Sequence, residues 1–138
     1  MKKISDVMTR EIHLATPDQS IGAAAAEMAR ADIGSLPVSD SDRLVGMITD
    51  RDIAVRAVAK GLGAETPVRS VMTTSVKYCY DDQDVEEVAR NMADLGVRRL
   101  PVVNRDKRLV GVVALSNIVH GGDDRTKDAL LRGVASPH

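Results

Sequence analysis

The chain states nearly the same thing twice. Val7-Met8-Thr9 returns as Val71-Met72-Thr73, and Leu36-Pro37-Val38 returns as Leu100-Pro101-Val102, both at a spacing of 64 residues. Arg43-Leu44-Val45-Gly46 then returns as Arg108-Leu109-Val110-Gly111 at a spacing of 65, and Ile53 returns as Ile118. A one-residue insertion is therefore predicted in the turn between Val38 and Arg43 and its counterpart. Register held over such a length is a duplicated structural unit. Each half, of roughly 60 residues, is near the lower limit for burying a core by itself. The halves are expected to fold against each other, and a cleft between similar but unequal halves is a natural ligand site.

Within the second half, Val85, Val88, Ala89 and Met92 recur at helical spacing, opposite Glu86, Glu87, Arg90 and Asn91. Asp84 is the expected N-cap, with the two glutamates in the positively polarised first turn. In the first half Ser20 takes the cap position, and Ile21, Ala24, Ala25 and Met28 form the matching stripe. Short strands are predicted before each helix, at Ile12–Ala15 and Val76–Tyr80, and after it at Leu-Pro-Val, where proline suits a strand start or an edge. Polar turns follow, Ser39–Asp42 and Asn104–Lys107, then buried strands Leu44–Ile48 and Leu109–Val113. Each half closes with a helix; the first runs from about Asp50 to Lys60 and stops at Gly61-Leu62-Gly63. The order strand, helix, strand, strand, helix gives an α/β (α+β) fold of two tandem repeats, residues 1–61 and 68–120, with a linker at 62–67. A polar tail occupies 121–138, in which Lys127 to Val134 has the make-up of one short helix.

Composition narrows the function. No uncharged apolar stretch approaches a membrane span, and the start Met1-Lys2-Lys3 leads into polar residues rather than a signal-peptide core. Nineteen basic residues face twenty acidic ones, which argues against a broad phosphate-binding face for nucleic acid. With no Trp or Phe and two Tyr, base stacking has little material. The lone Cys79 has no disulfide partner in the chain and no His partners at metal-ligand spacing, so a cytoplasmic location is expected and no metal site. No nucleophile, base and orienting group converge in any motif, so catalysis is not expected.

The order of elements, the two copies, the Val-Met-Thr openings, the Leu-Pro-Val strands and the glycine-led third strands resemble tandem cystathionine-β-synthase (CBS) domains, the Bateman module. The resemblance covers residues 1 to about 120. It is specific because several motifs recur in order in both copies. It implies a stand-alone regulatory pair that binds an adenosine-containing ligand in the inter-repeat cleft, associates into a homodimer and is read by a separate effector protein.

Gly46-Met47-Ile48-Thr49-Asp50-Arg51-Asp52 fits this family's G-x-x-T-x-x-D ribose pattern. Gly46 would allow close approach of a ligand, Thr49 stands at a strand-to-helix turn, and Asp52 follows one turn later, where a carboxylate can accept from both hydroxyls of a diol. The same residues also read as a helix cap followed by a solvated first-turn charge. In the second copy, Ala114 and Asn117 replace the hydroxyl and the carboxylate, and Ser116 reads as a helix cap. By the resemblance, the backbone around Val76 and Lys77 would hold adenine, and Arg98 and Arg99 would meet phosphate, where guanidinium forks fit oxygens two at a time. Surface charge, or pairing with Asp94, is the alternative for the arginines. The first copy has Gly34-Ser35 at that position, so the weaker second site would comprise His13, Gly34, Ser35, Ser116 and Asn117. Tyr78 and Tyr80 share a strand face and read as core or dimer packing; His13 reads most simply as a packed or edge residue, and Met28 and Met92 as core. Met8 and Met72 read as lining a cleft or a dimer contact. The competing function is a structural or protein-interaction dimer that binds no nucleotide.

Overall fold

A computed structural model describes residues 2–121. The expected tail helix over 127–134 lies outside the described residues. The chain forms two compact units, one comprising His13–Val76 and the other Met1–Ile12 together with the chain from Lys77 onward. Both mix helices with small sheets, an α+β fold.

In the His13–Val76 unit, helix α2 (Ile21–Ala31) is capped as expected, Ser20 accepting the Ala23 N–H at 3.1 Å. It ends at Asp32, which adopts a left-handed φ of 55°. Of the predicted stripe, Ile21, Ala24 and Met28 are buried and Ala25 is half-buried. Strands β1 (Ser35–Asp40) and β2 (Arg43–Thr49) form an antiparallel hairpin in which Asp40 pairs with Arg43. Its two-residue turn, Ser41-Asp42, has φ of 52° and 67°, the all-positive geometry that matches strand twist. The strand expected at Ile12–Ala15 contracts to one parallel bridge, Ala15 to Val38, its N–H bonding the Pro37 carbonyl at 2.9 Å. Proline offers only that acceptor. Helix α3 follows as an α turn (Asp50–Asp52), a π turn (Ile53–Ala57) and a 3₁₀ turn (Val58–Lys60). Gly61, at φ 75°, terminates it.

In the other unit, short strand β3 (Cys79–Tyr80) pairs parallel to β4 (Arg99–Val103), which pairs antiparallel to β5 (Leu109–Ala114). β4 is thus central, and Pro101 lies inside it rather than on an edge; the β3 pairing starts one residue later, at Val102. The connecting turn spans Asn104–Arg108, with Asn104 bonded to Arg108 across its neck and Lys107 at φ 67°. Against the two-residue turn of β1–β2, this longer loop carries the insertion. Helix α4 (Val85–Leu95) buries Val85, Val88, Ala89 and Met92 and ends at Gly96, φ 67°. Asp84 sits at its N-cap but its side chain does not cap: Oδ1 instead accepts Lys3 Nζ at 2.9 Å. Helix α5 (Leu115–Gly121) closes the described chain.

The units do not follow the repeats. Short helix α1 (Ile4–Val7) puts Ile4 in one core with Val88, Met92, Leu100 and Val113. Thr9 forms an antiparallel bridge to Val112, with bonds of 2.8 and 3.0 Å. Correspondingly, Val68 and Val71, around the 3₁₀ turn Val68–Ser70, join the core of Leu36, Val38 and Ile48. Thr73 bridges Met47. Each Val-Met-Thr segment therefore completes the hairpin of the other repeat.

Candidate ligand site at the β2–α3 junction

Thr49 ends β2 in extended geometry and opens α3 with a reciprocal pair: its Oγ1 accepts the Asp52 N–H, and its N–H donates to Asp52 Oδ2, both at 3.0 Å. This is a capping box built with Asp. It is the helix cap that the sequence also allowed at these residues. The Thr49 O–H makes no hydrogen bond among the described residues, and Asp52 Oδ1 has only Arg56 Nε near it, at 3.9 Å. The Asp52 side chain is 17% exposed. A hydroxyl and a carboxylate oxygen thus keep bonding capacity beyond the cap, on one partly buried turn.

The second copy repeats half of this arrangement. Ala114 N–H donates to Asn117 Oδ1 at 2.9 Å, but no hydroxyl returns a bond. Ser116 is exposed. The preceding connections are equivalent as well: Asp50 N–H bonds Gly34 O at 3.0 Å, and Leu115 N–H bonds Arg98 O at 2.9 Å.

Gly46 allows a close approach, and the group approached is protein. A Cβ there would lie 2.8 Å from Met72 Sδ and 2.9 Å from the Thr73 carbonyl. A Cβ on Gly111 would likewise lie 2.8 Å from Met8 Sδ and from the Thr9 carbonyl. Met8 and Met72 therefore pack on the glycines of the hairpins their segments complete. Met47, next in the motif, exchanges two backbone bonds with Thr73, at 2.9 and 2.8 Å.

Of the other predicted residues, Val76 is half-buried and Lys77, Arg98 and Arg99 are exposed. The Arg98 and Arg99 side chains make no hydrogen bond or ion pair among the described residues, Asp94 included. His13 Nδ1 lies 2.8 Å from Glu27 Oε1, and Glu27 also contacts Arg30. The His13 contact, then Arg30, holds the Glu27 carboxyl below its ordinary 4.5. A cleft of about 410 Å³ is lined by Met28, Ala29, Asp32, Ile33, Gly34 and Asp50 among others. It shares Gly34 with the predicted second site and includes neither Thr49 nor Asp52.

The tyrosines correct the expectation of core packing. Tyr78 is 40% exposed, and its ring meets Tyr80 edge-on with centroids 5.7 Å apart. Lys107 donates to both hydroxyls, and Arg105, paired to Asp82, lies 4.0 Å over the Tyr80 ring. The Lys107 bond draws the Tyr80 phenol below its ordinary range. Spacing within one strand could not reveal that the β4–β5 turn, more than 20 residues further on, folds back onto these rings. Cys79 is buried, which pushes its thiol up to about 12. No group of three or more His, Cys, Asp or Glu is placed to hold a metal among the described residues. Nor is any helix there long and apolar enough to cross a membrane.

Two α+β repeats, each with a hairpin completed by the opposite leading segment and one ending in a hydroxyl–carboxylate turn, define a tandem two-repeat module. The chain belongs to the CBS domain family, whose profile matches it twice, at residues 4–58 and 68–122. Hypoxic response protein 1 of Mycobacterium tuberculosis is 32% identical over 139 residues, spanning 99% of this chain and 96% of that protein. A crystal structure of Hypoxic Response Protein I with two coordinated zinc ions is 34% identical with a TM-score of 0.77, covering 88% of this chain and 99% of that one. CBSX2 in complex with AMP is 27% identical, TM-score 0.77, covering 88% and 96%. The CBS domain pair of MJ0100, in complex with 5′-methylthioadenosine and S-adenosyl-L-methionine, is 30% identical, TM-score 0.72, covering 87% and 94%.

Proposed function

We propose that this chain is a non-catalytic regulatory module that binds an adenosine-containing ligand at the β2–α3 junction, with Thr49 and Asp52 holding the ribose. The observation that carries the reading is the spare capacity of that turn: the unpartnered Thr49 O–H beside an Asp52 oxygen free of hydrogen bonds. AMP in CBSX2 and the two adenosine compounds in MJ0100 support the ligand class. By its differential affinity, ligand would favour one arrangement of a homodimer, and a separate effector protein in the cytoplasm would read it. For Arg98 and Arg99 the proposed role is phosphate contact. Val76 and Lys77 keep their proposed adenine role, and the His13, Gly34, Ser35, Ser116 and Asn117 set is the weaker site.

The alternative, a structural or interaction dimer without nucleotide, draws on the same capping box, since Thr49 and Asp52 already serve the helix. Substitutions at Asp52 separate the two. Asparagine can cap as Asn117 does, so Asp52→Asn should keep the melting temperature while weakening adenosine about tenfold in calorimetry, the loss of one charged hydrogen bond. Asp52→Ala should also lose about 1 kcal/mol of cap stability. Wild-type affinity in Asp52→Asn would sink the ribose assignment. Binding of neither adenosine, AMP, ATP nor S-adenosylmethionine to the wild type would favour the alternative.

A further inference from the structure

Arg56 belongs to none of the motifs that define the family resemblance, yet it touches the site. It lies four residues after Asp52, within the π turn of α3, and its Nε is 3.9 Å from Asp52 Oδ1. Acid and base at that spacing are neighbours on one helix face, in the favourable order. The far end of the guanidinium is anchored: Nη1 donates to the Val71 carbonyl at 3.2 Å and to the Met72 carbonyl at 3.3 Å. These carbonyls immediately precede Thr73, whose backbone exchanges two bonds with Met47 on β2. The contacts close a circuit from β2 through Thr73, Met72, Arg56, Asp52 and Thr49 back to β2. Of its links, only those of Arg56 rest on a side chain about half exposed, at 49%.

The two copies supply a second argument. At the repeat spacing of 65, Asp52 corresponds to Asn117 and Arg56 to Gly121. Carboxylate and guanidinium are present together in one copy and absent together in the other. An arginine that served only the backbone carbonyls would have no reason to disappear with the carboxylate.

Resting on the ribose reading above, we propose that Arg56 is a positioning residue. It orients the Asp52 carboxylate for the ligand's diol, and it couples occupancy of that site to docking of the Val71–Thr73 segment on β2. The ligand chemistry it tunes is the vicinal diol itself. Its effect should therefore appear in discrimination between adenosine and 2′-deoxyadenosine.

The test compares both nucleosides by calorimetry on the full chain as wild type, Asp52→Asn, Arg56→Gln and the double variant. Arg56→Gln removes the charge but keeps amide donors for the carbonyls, so the fold should persist. The proposal expects Arg56→Gln to weaken adenosine about five- to tenfold and 2′-deoxyadenosine less than about twofold, the scale of a modest coupling between groups. In the Asp52→Asn background, Arg56→Gln should cost nothing further. Hydrogen exchange provides a second readout: adenosine should slow exchange of the Met47 amide in the wild type and leave it unchanged in Arg56→Gln. If the wild type binds adenosine, Asp52→Asn weakens it and Arg56→Gln keeps the wild-type preference, the proposal fails while the ribose reading stands. Equal losses for both nucleosides would reduce Arg56 to a structural role and overturn it. A wild type that binds adenosine no better than 2′-deoxyadenosine would remove the ribose reading and this inference with it.

Discussion

Gly46→Ala separates two jobs a glycine in this motif can do. If the missing Cβ admits ligand, alanine should lower affinity and leave the fold alone; if it admits Met72 and Thr73, alanine should act on stability. Gly46 has no positive φ, so backbone strain does not enter. The new methyl would sit 2.9 Å from the Thr73 carbonyl against an ordinary contact of at least 3.4 Å, so that carbonyl must retreat by about 0.5 Å. The bond it accepts from Met47 N–H, now 2.9 Å, would stretch past the usual range, and the 2.8 Å bond from Thr73 N–H to the Met47 carbonyl would be strained with it. Weakening two backbone bonds costs about 0.5–1.5 kcal/mol each at most, and overpacking against Met72 about 1–3 kcal/mol. Removing a glycine from a strand returns about 0.5–1 kcal/mol. At the middle of these ranges the net is a loss of about 3 kcal/mol, or roughly 10 °C in melting temperature for a chain of this size. Thermal and urea denaturation followed by circular dichroism would measure it. Gly111→Ala, with Met8 and Thr9 equally close, should fall by a similar amount. A Gly46→Ala protein melting within about 1 °C of wild type but binding adenosine more weakly would refute the packing argument and restore the glycine to the ligand.

Two further outcomes follow from buried and paired groups. Because the Glu27 carboxyl is held below 4.5 by His13 and then Arg30, its contribution is complete above 4.5 and disappears as pH falls through the lower folded-state value. Glu27→Gln should therefore lower the urea midpoint slightly at pH 7 and by progressively less as the pH falls below 4.5; a difference that does not change with pH would mean the side chain acts by packing instead. Cys79, with its thiol near 12 and 3% exposed, should resist a disulfide reagent at pH 8 in the native protein and react promptly in denaturant. Rapid native labelling would contradict its burial.

Much of the fold was legible because it is written in local periodicity. The stripes of α2 and α4, the Ser20 cap, the Gly61 stop and both hairpins follow from residues within a turn or two of one another. What was not legible depends on distant pairing. Asp84 carries the residue type of a cap, but the cation that takes its carboxylate comes from Lys3, 81 residues away. The strand expected at Ile12–Ala15 has the right composition, yet only Ala15 bridges β1, at Val38. The π turn of α3 leaves no pattern that separates it from an α turn of the same residues. The duplication itself hides the largest of these features. Because Val7-Met8-Thr9 and Val71-Met72-Thr73 are nearly the same segment, and Gly46 and Gly111 make nearly the same seat, sequence likeness fits each segment to either hairpin. The chain places each on the hairpin of the other repeat, crossing between compact units at Ile12–His13 and again at Val76–Lys77. That exchange bears on the site. The unit holding Thr49 and Asp52 takes Met72, Thr73 and the carbonyls that anchor Arg56 from the opening of the second repeat, so the surroundings of the candidate ribose motif are assembled from both repeats. A motif search confined to the first copy finds Thr49 and Asp52 and misses Met72 and Thr73, which come from the second.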